Sequence, residues 1–153
     1  MARGWRAART APGRLGAMAH ETALEFIRAN PRGVLATRRR DGGLQMSPVV
    51  AAVDPENRVV ISTREGAIKT LNLRRDPRAT LCAISGRFFG EWHTVEGTVE
   101  IVSLPEAMEP LVDYYRRTGG EHPDWTDYRH AMEREHRVLL RITVERSGPT
   151  RTG

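Results

Sequence analysis

The segment Ile61-Ser62-Thr63-Arg64-Glu65-Gly66-Ala67-Ile68-Lys69-Thr70 gathers two strand-end hydroxyls, a guanidinium, a glycine and an ammonium in a short stretch of chain. The β-branched run before it reads as a strand and the spacing of Ile68 with Leu71 or Asn72 as a helix, so Lys69 falls in the first turn of a helix entered from a strand end. Such a turn presents N–H groups with no partner inside the helix, and the aligned peptide dipoles add about half a positive charge there. Hydroxyls and an ammonium converging on that spot suit a phosphate. The same residue types also serve as ordinary caps and solvated charges, and the residues alone leave both readings open.

Composition adds weight to this lysine. Of the 24 basic residues in the 153-residue chain, Lys69 is the only lysine and all others are arginine, the bias of a GC-rich genome. Where arginine is the default cation, one lysine marks a place that calls for a compact ammonium rather than a planar fork; a chance survival is the alternative.

The remaining polar residues offer less. Trp92 and His93 follow a glycine-containing turn and could line a ring pocket, or serve as a core Trp and a surface His. His122, His130 and His136 lack carboxylates at ligand spacing, so no metal site is expected. Cys82 is the only cysteine, which rules out an internal disulfide, and its apolar setting predicts a buried, inert thiol. Ser47, Ser62 and Ser85 lack the motif context of a hydrolytic nucleophile. No catalytic side chain is nominated.

Six strands must carry these residues: Gly33–Arg39, Leu44–Val53, Arg58–Thr63, Ala79–Ser85, Trp92–Val102 and Arg137–Val144, the first three forming a meander. Helices are predicted over Glu21–Ala29, covering one end of a barrel, and over Gly66–Arg75. A third carries Met108, Leu111, Val112 and Tyr115 after a capping box at Ser103–Glu106, with Pro110 kinking or restarting it. A fourth, capped by Asp124, carries the Trp125, Tyr128 and Met132 stripe, which reads as core. Short antiparallel strands with helices inserted at loops argue for an α+β barrel and against a doubly wound nucleotide fold.

The net charge of +5 hints at nucleic acid until it is divided along the chain. Residues 1–17 carry Arg3, Arg6, Arg9 and Arg14 with no acid, so nearly all of the excess belongs to this segment. It lacks hydrophobic periodicity and is expected to be a disordered basic tail or a mis-called start. A single domain is expected over 18–146, with a flexible tail over 147–153. No apolar run is long enough to span a bilayer, so a cytoplasmic protein with no nucleic-acid or membrane partner is expected.

The order G-V-L-A-T at Gly33–Thr37, D-G at Asp41 and Gly42, Gln45 and Ser47 on the second strand, V-V-I-S-T at Val59–Thr63 and K-T-L-N-L-R-R-D-P-R-A at Lys69–Ala79 resembles the pyridoxamine 5'-phosphate oxidase-like superfamily. V-E-G-T-V-E at Val95–Glu100 and G-E-H-P-D-W-T-D-Y-R at Gly120–Arg129 are similar to its deazaflavin-dependent branch. The match spans about Met18 to Val144.

The resemblance implies a six-stranded antiparallel split β-barrel with peripheral helices, homodimeric, with coenzyme F420 at the subunit interface and FMN as the alternative. It implies an oxidoreductase passing a hydride between F420 and an apolar or conjugated small molecule. An FMN enzyme on the same fold and a non-catalytic F420- or ligand-binding protein are the rivals. Ser62, Lys69 and Asn72 fall on positions that contact the cofactor's phosphate and chain, with Thr63 and Arg64 beside them; Gln45 and Ser47 fall near its ring, and Trp92 is a further candidate. Relatives often carry a second basic residue where this chain has Ala67, so Arg64 or an arginine of a second subunit must compensate. The C-terminal Trp and Arg motif of pyridoxamine phosphate oxidases is not found, so pyridoxamine oxidation is not expected.

Overall fold

The computed structural model describes residues 14–87 and 89–149. In chain order they form α1 (Arg14–Ala29), β1 (Arg32–Arg38), β2 (Leu44–Val50), β3 (Ala52–Val53), β4 (Val59–Arg64), α2 (Ile68–Arg75), β5 (Arg78–Ile84), β6 (Trp92–Val102), α3 (Met108–Gly119), α4 (Trp125–Arg134) and β7 (Arg137–Gly148). The strands make one antiparallel sheet in the order β2-β1-β5-β6-β7-β4-β3. Its two edge strands, β2 and β3, are separated in the chain by Ala51 alone, so the sheet has to curl until its edges approach. The result is the expected α+β split barrel.

The strand count differs from expectation, seven against six. The predicted strand Leu44–Val53 changes partner at Ala51: β2 pairs with β1, whereas Ala52 and Val53 pair with Val60 and Val59. The Ala51 N–H leaves the ladder and donates to the Pro31 carbonyl at 2.7 Å. The predicted three-strand meander is therefore not formed, since β4 lies between β3 and β7.

Strand alternation sorts the side chains into two cores. Leu35, Ile61, Leu81, Val95 and Leu140 fill the barrel interior, and Ala23, Leu24 and Ile27 of α1 close it as predicted. On the opposite face of β4 and β7, Val60 and Leu139 pack against Leu111, Val112, Tyr128 and Met132 of α3 and α4. The Asp124 cap is present, its side chain accepting from the Asp127 N–H at 3.0 Å. The Ser103 capping box is not, because α3 starts at Met108 with Ala107 as its N-cap. Pro110 consequently sits in the first turn, where its missing N–H costs nothing and no kink is needed.

Three boundaries move. α1 begins at Arg14, so 14–17 of the expected structureless tail are helical, while 1–13 lie outside the described residues. α2 begins at Ile68 rather than Gly66. β7 runs through Ser147 and Gly148, residues expected to be a flexible tail, because a bulge at Glu96/Gly97 re-registers the ladder and lets Thr94 pair with Gly148. Cys82 is half-buried rather than buried; burial pushes its thiol pKa up, which fits an inert thiol. Among the described residues no helix is long and apolar enough to cross a membrane.

Candidate anion site at the β4–α2 junction

β4 ends at Arg64, and the turn into α2 is fixed from two sides. The Glu65 N–H donates to the His136 carbonyl at 2.8 Å, and the buried Thr70 hydroxyl donates back to the Arg64 carbonyl at 2.7 Å. α2 then starts with Ala67 as an extended N-cap, no capping side chain and no acid in its first turn. The opening N–H groups of the helix and its positive dipole end are thus left uncompensated by the chain itself.

Lys69 stands in this first turn, half-buried, with no carboxylate partner among the described residues. Burial, and then the positive charge of Arg137, pull its pKa below the ordinary lysine value. Arg137 is itself paired with Glu135, at 2.8 Å through Nε and 2.6 Å through Nη2, and the exposed Arg64 reaches the same carboxylate at 3.6 Å. Lys69 is therefore the one cation of the three whose charge is unanswered. A desolvated, unpaired ammonium beside a second cation and a helix start is an arrangement that an anion would relieve.

The sign of the pH dependence follows. Anion binding requires the protonated lysine, so affinity is expected to fall as pH rises through the lowered Lys69 pKa, earlier than for an ordinary lysine. In the ligand-free protein the effect is opposite. Between the lowered folded-state value and the ordinary unfolded one, the unfolded chain holds the proton better, so folding gains as pH rises. Phosphate affinity and thermal midpoint measured across the alkaline range are expected to move in these opposite directions.

The nominated residues divide by strand face. Ser62 is half-buried on the face of Val60, while Thr63 points the other way with Ile61 and is only 6% exposed. The two hydroxyls expected to converge do not, because neighbours on a strand alternate. Asn72 is 5% exposed and committed: its amide donates to Thr37 Oγ1 at 3.1 Å and accepts from Arg75 at 3.3 Å. The Thr37 hydroxyl in turn donates to Gln45 Oε1 at 3.3 Å. Asn72 thus acts through Thr37 to orient Gln45, tying α2 to β1 and β2.

Ser47 lies opposite Leu35 in the β1–β2 register and so faces inward on β2, two residues beyond Gln45. Its Oγ is buried with no hydrogen-bond partner, an unmet polar group of the kind that a ligand satisfies at a binding site.

Trp92 does not join the group within one chain. Val102, at the far end of β6, lies level with Leu139 and hence with Ser62, and Trp92 opens the same strand roughly 30 Å of ladder away. Trp92 is also 46% exposed, whereas His93 is packed against Phe26 with ring centroids 4.6 Å apart. His122 joins the aromatic cluster of Tyr115, Trp125 and Tyr128, its Nδ1 accepting from the Asp124 N–H at 3.0 Å. Tyr128 donates to the Leu111 carbonyl at 2.9 Å, and burial drives its pKa up to about 12. Among the described residues no three potential ligands gather for a metal.

Sequence reading missed Arg137, Thr37 and Tyr114. The charge of Arg137 is felt at Lys69 only because β7 pairs with β4, with Arg64 opposite Arg137, a long-range register with no local signal. Thr37 was visible as a strand residue, but its hydrogen bonds to β2 and α2 were not. Tyr114 was passed over beside Tyr115 in the helical stripe.

The family model described as pyridoxamine 5'-phosphate oxidase matches residues 19–150, nearly all of the described chain. Among solved structures, a conserved hypothetical protein from Mycobacterium tuberculosis is 27% identical with a TM-score of 0.68, covering 87% of this chain and 89% of that one. An F420 reductase is 23% identical with a TM-score of 0.62, covering 84% of this chain and 94% of its own. A heme binding protein from Mycobacterium smegmatis shares 18% identity with a TM-score of 0.66 over 87% of this chain and 55% of that one. The last two likenesses speak for the fold alone. With the split barrel, the strand-to-helix junction and a family match over most of its length in agreement, the chain belongs to the pyridoxamine 5'-phosphate oxidase family.

Proposed function

We propose that the chain is an F420-dependent oxidoreductase that holds the phosphate of its cofactor at the start of α2. The observation that carries this reading is the unanswered charge of Lys69, half-buried beside Arg137 at an uncapped helix N-terminus. Proteins of this family typically bind a flavin, and one structural neighbour is an F420 reductase. Arg137, whose charge is felt at Lys69, joins Arg64 and an arginine of a second subunit as a candidate for the second cation that Ala67 does not supply. Ser62 lies near the same end of β4, and the Gln45 amide, with the unpartnered Ser47 hydroxyl two residues on, is assigned to the ring end of the cofactor.

When bound, the deazaflavin would supply a hydride from the central carbon of its ring. The chain's part is to bind, orient and exclude water. Lys69 and the α2 N–H groups neutralise the phosphate, the Asn72–Thr37 relay fixes which way the Gln45 amide faces, and Ser47 gains the hydrogen bond it lacks. The substrate is proposed to be an apolar or conjugated small molecule lying over the ring.

A second copy of the chain is proposed to complete the pocket. Leu44, Met46 and Val50 project from the outer face of β2, with Met46 61% exposed, and Ile68 and Leu71 project from α2 beside Lys69. Apolar side chains in such number on both flanks of one site are what a partner subunit would cover. Light scattering is expected to give twice the chain mass for the parent and the chain mass for Met46→Asp.

FMN in the same cradle is the alternative that family membership favours, since it would use the same phosphate contacts. Titration with both cofactors, followed by turnover with reduced F420, tests the proposal. Tighter binding of F420 and oxidation of its reduced form by an electron-poor acceptor are expected. A yellow protein that purifies with FMN and ignores F420 would overturn the F420 assignment.

A further inference from the structure

The split in this barrel has a defined location. The β3–β4 ladder consists of two pairs, Ala52 with Val60 and Val53 with Val59. Continued in step, it would next bring Ala51 to Ile61 and Val50 to Ser62. Those pairs do not form, because the Ala51 N–H is drawn to the Pro31 carbonyl at 2.7 Å and β2 departs with β1. Between Val50 and Ser62 there is therefore a seam in which two backbone edges face each other without a ladder.

Tyr114 of α3 reaches into that seam. Its hydroxyl donates to the Val50 carbonyl at 2.9 Å. On the other side the Ser62 backbone N–H faces the same oxygen, opposing the rise in phenol pKa that burial produces. The hydroxyl thus sits where the missing rung would be, donating to the Val50 carbonyl of β2 with the Ser62 N–H of β4 turned toward it. The helix carrying it is held firmly: Tyr128 donates to the Leu111 carbonyl at 2.9 Å, and Tyr115 is fixed in the aromatic cluster with Trp125 and His122.

We propose that the Tyr114 hydroxyl is a latch across the β2–β4 seam that sets the distance between the two halves of the site. One half is Gln45 and Ser47 on β2, up to five residues before Val50; the other is Ser62 with the α2 start and Lys69. Tyr114 is a positioning residue: it is hydrogen-bonded to the β2 backbone at Val50 and faces the Ser62 N–H of β4. The functional half of this statement rests on the cofactor reading above, whereas the latch itself does not.

Tyr114→Phe removes the hydroxyl and keeps the ring. Native-state hydrogen exchange is expected to show the Ser62 amide exchanging about tenfold faster or more, with the Leu81 amide in the β1–β5 ladder unchanged. In parallel, FMN and oxidised F420 are expected to bind the variant about tenfold more weakly, while inorganic phosphate, which spans only the Lys69 half, binds within about twofold of the parent. An unchanged Ser62 exchange rate overturns the latch. Equal weakening of cofactor and phosphate also overturns the proposal, since Tyr114 would then be an ordinary part of the fold. If the parent binds neither cofactor, the cofactor reading falls, and the latch is judged on the Ser62 exchange rate alone.

Discussion

Lys69→Ala is expected to weaken cofactor binding by about 1.5 to 3 kcal/mol, the range for losing a charge-assisted hydrogen bond, while the protein stays folded. Folding is expected to survive because Lys69 makes no ion pair among the described residues and its half-buried charge costs the ligand-free protein energy. The alanine variant is therefore expected to melt at or slightly above the parent temperature. Lys69→Arg separates charge from shape. It keeps the cation but places a planar fork beside Arg137, and is expected to bind less well than the parent at equal charge. Isothermal titration with F420 and FMN, paired with thermal melts, measures both effects.

Gly97→Ala is expected to be the most damaging small substitution in the sheet. A β-carbon at Gly97 would lie 1.9 Å from the Thr143 carbonyl oxygen and 2.8 Å from its carbon, both backbone atoms of the paired strand β7. No side-chain rotation relieves that contact, so one of the two strands must shift at the bulge that sets their register. A loss of at least about 3 kcal/mol is expected, at the upper end for overpacking, read as the shift in urea midpoint. Gly86, where a β-carbon meets nothing within 4 Å, is the control: Gly86→Ala is expected to be close to neutral.

What the sequence revealed and what it hid divide along the range of the interactions. The strands and helices were visible because apolar alternation and helical stripes are local, and the Asp124 cap was visible because capping involves residues three apart. The change of partner at Ala51 was not. It depends on Pro31 competing for one N–H, and Leu44–Val53 reads as a single strand when its partners are unknown. The extension of β7 through Gly148 likewise depends on a bulge in β6.

The site shows the same division. Lys69 and the helix start stood out because a lone lysine and a strand-to-helix turn are readable in a short window. Arg137 was hidden by distance in sequence, and Asn72 was recognised by its motif although its side chain is spent on Thr37 and Arg75. Trp92 was nominated for its aromatic ring, but the ladder register carries it far along β6 from Lys69 within one chain.

A crystal structure of the chain with oxidised F420 decides whether the start of α2 holds the cofactor's phosphate. Phosphate oxygens are expected within hydrogen-bond distance of Lys69 Nζ and of the opening N–H groups of α2, with the ring toward Gln45 and Ser47. A cofactor bound elsewhere on the chain, with the Lys69 ammonium still without a partner, would contradict it.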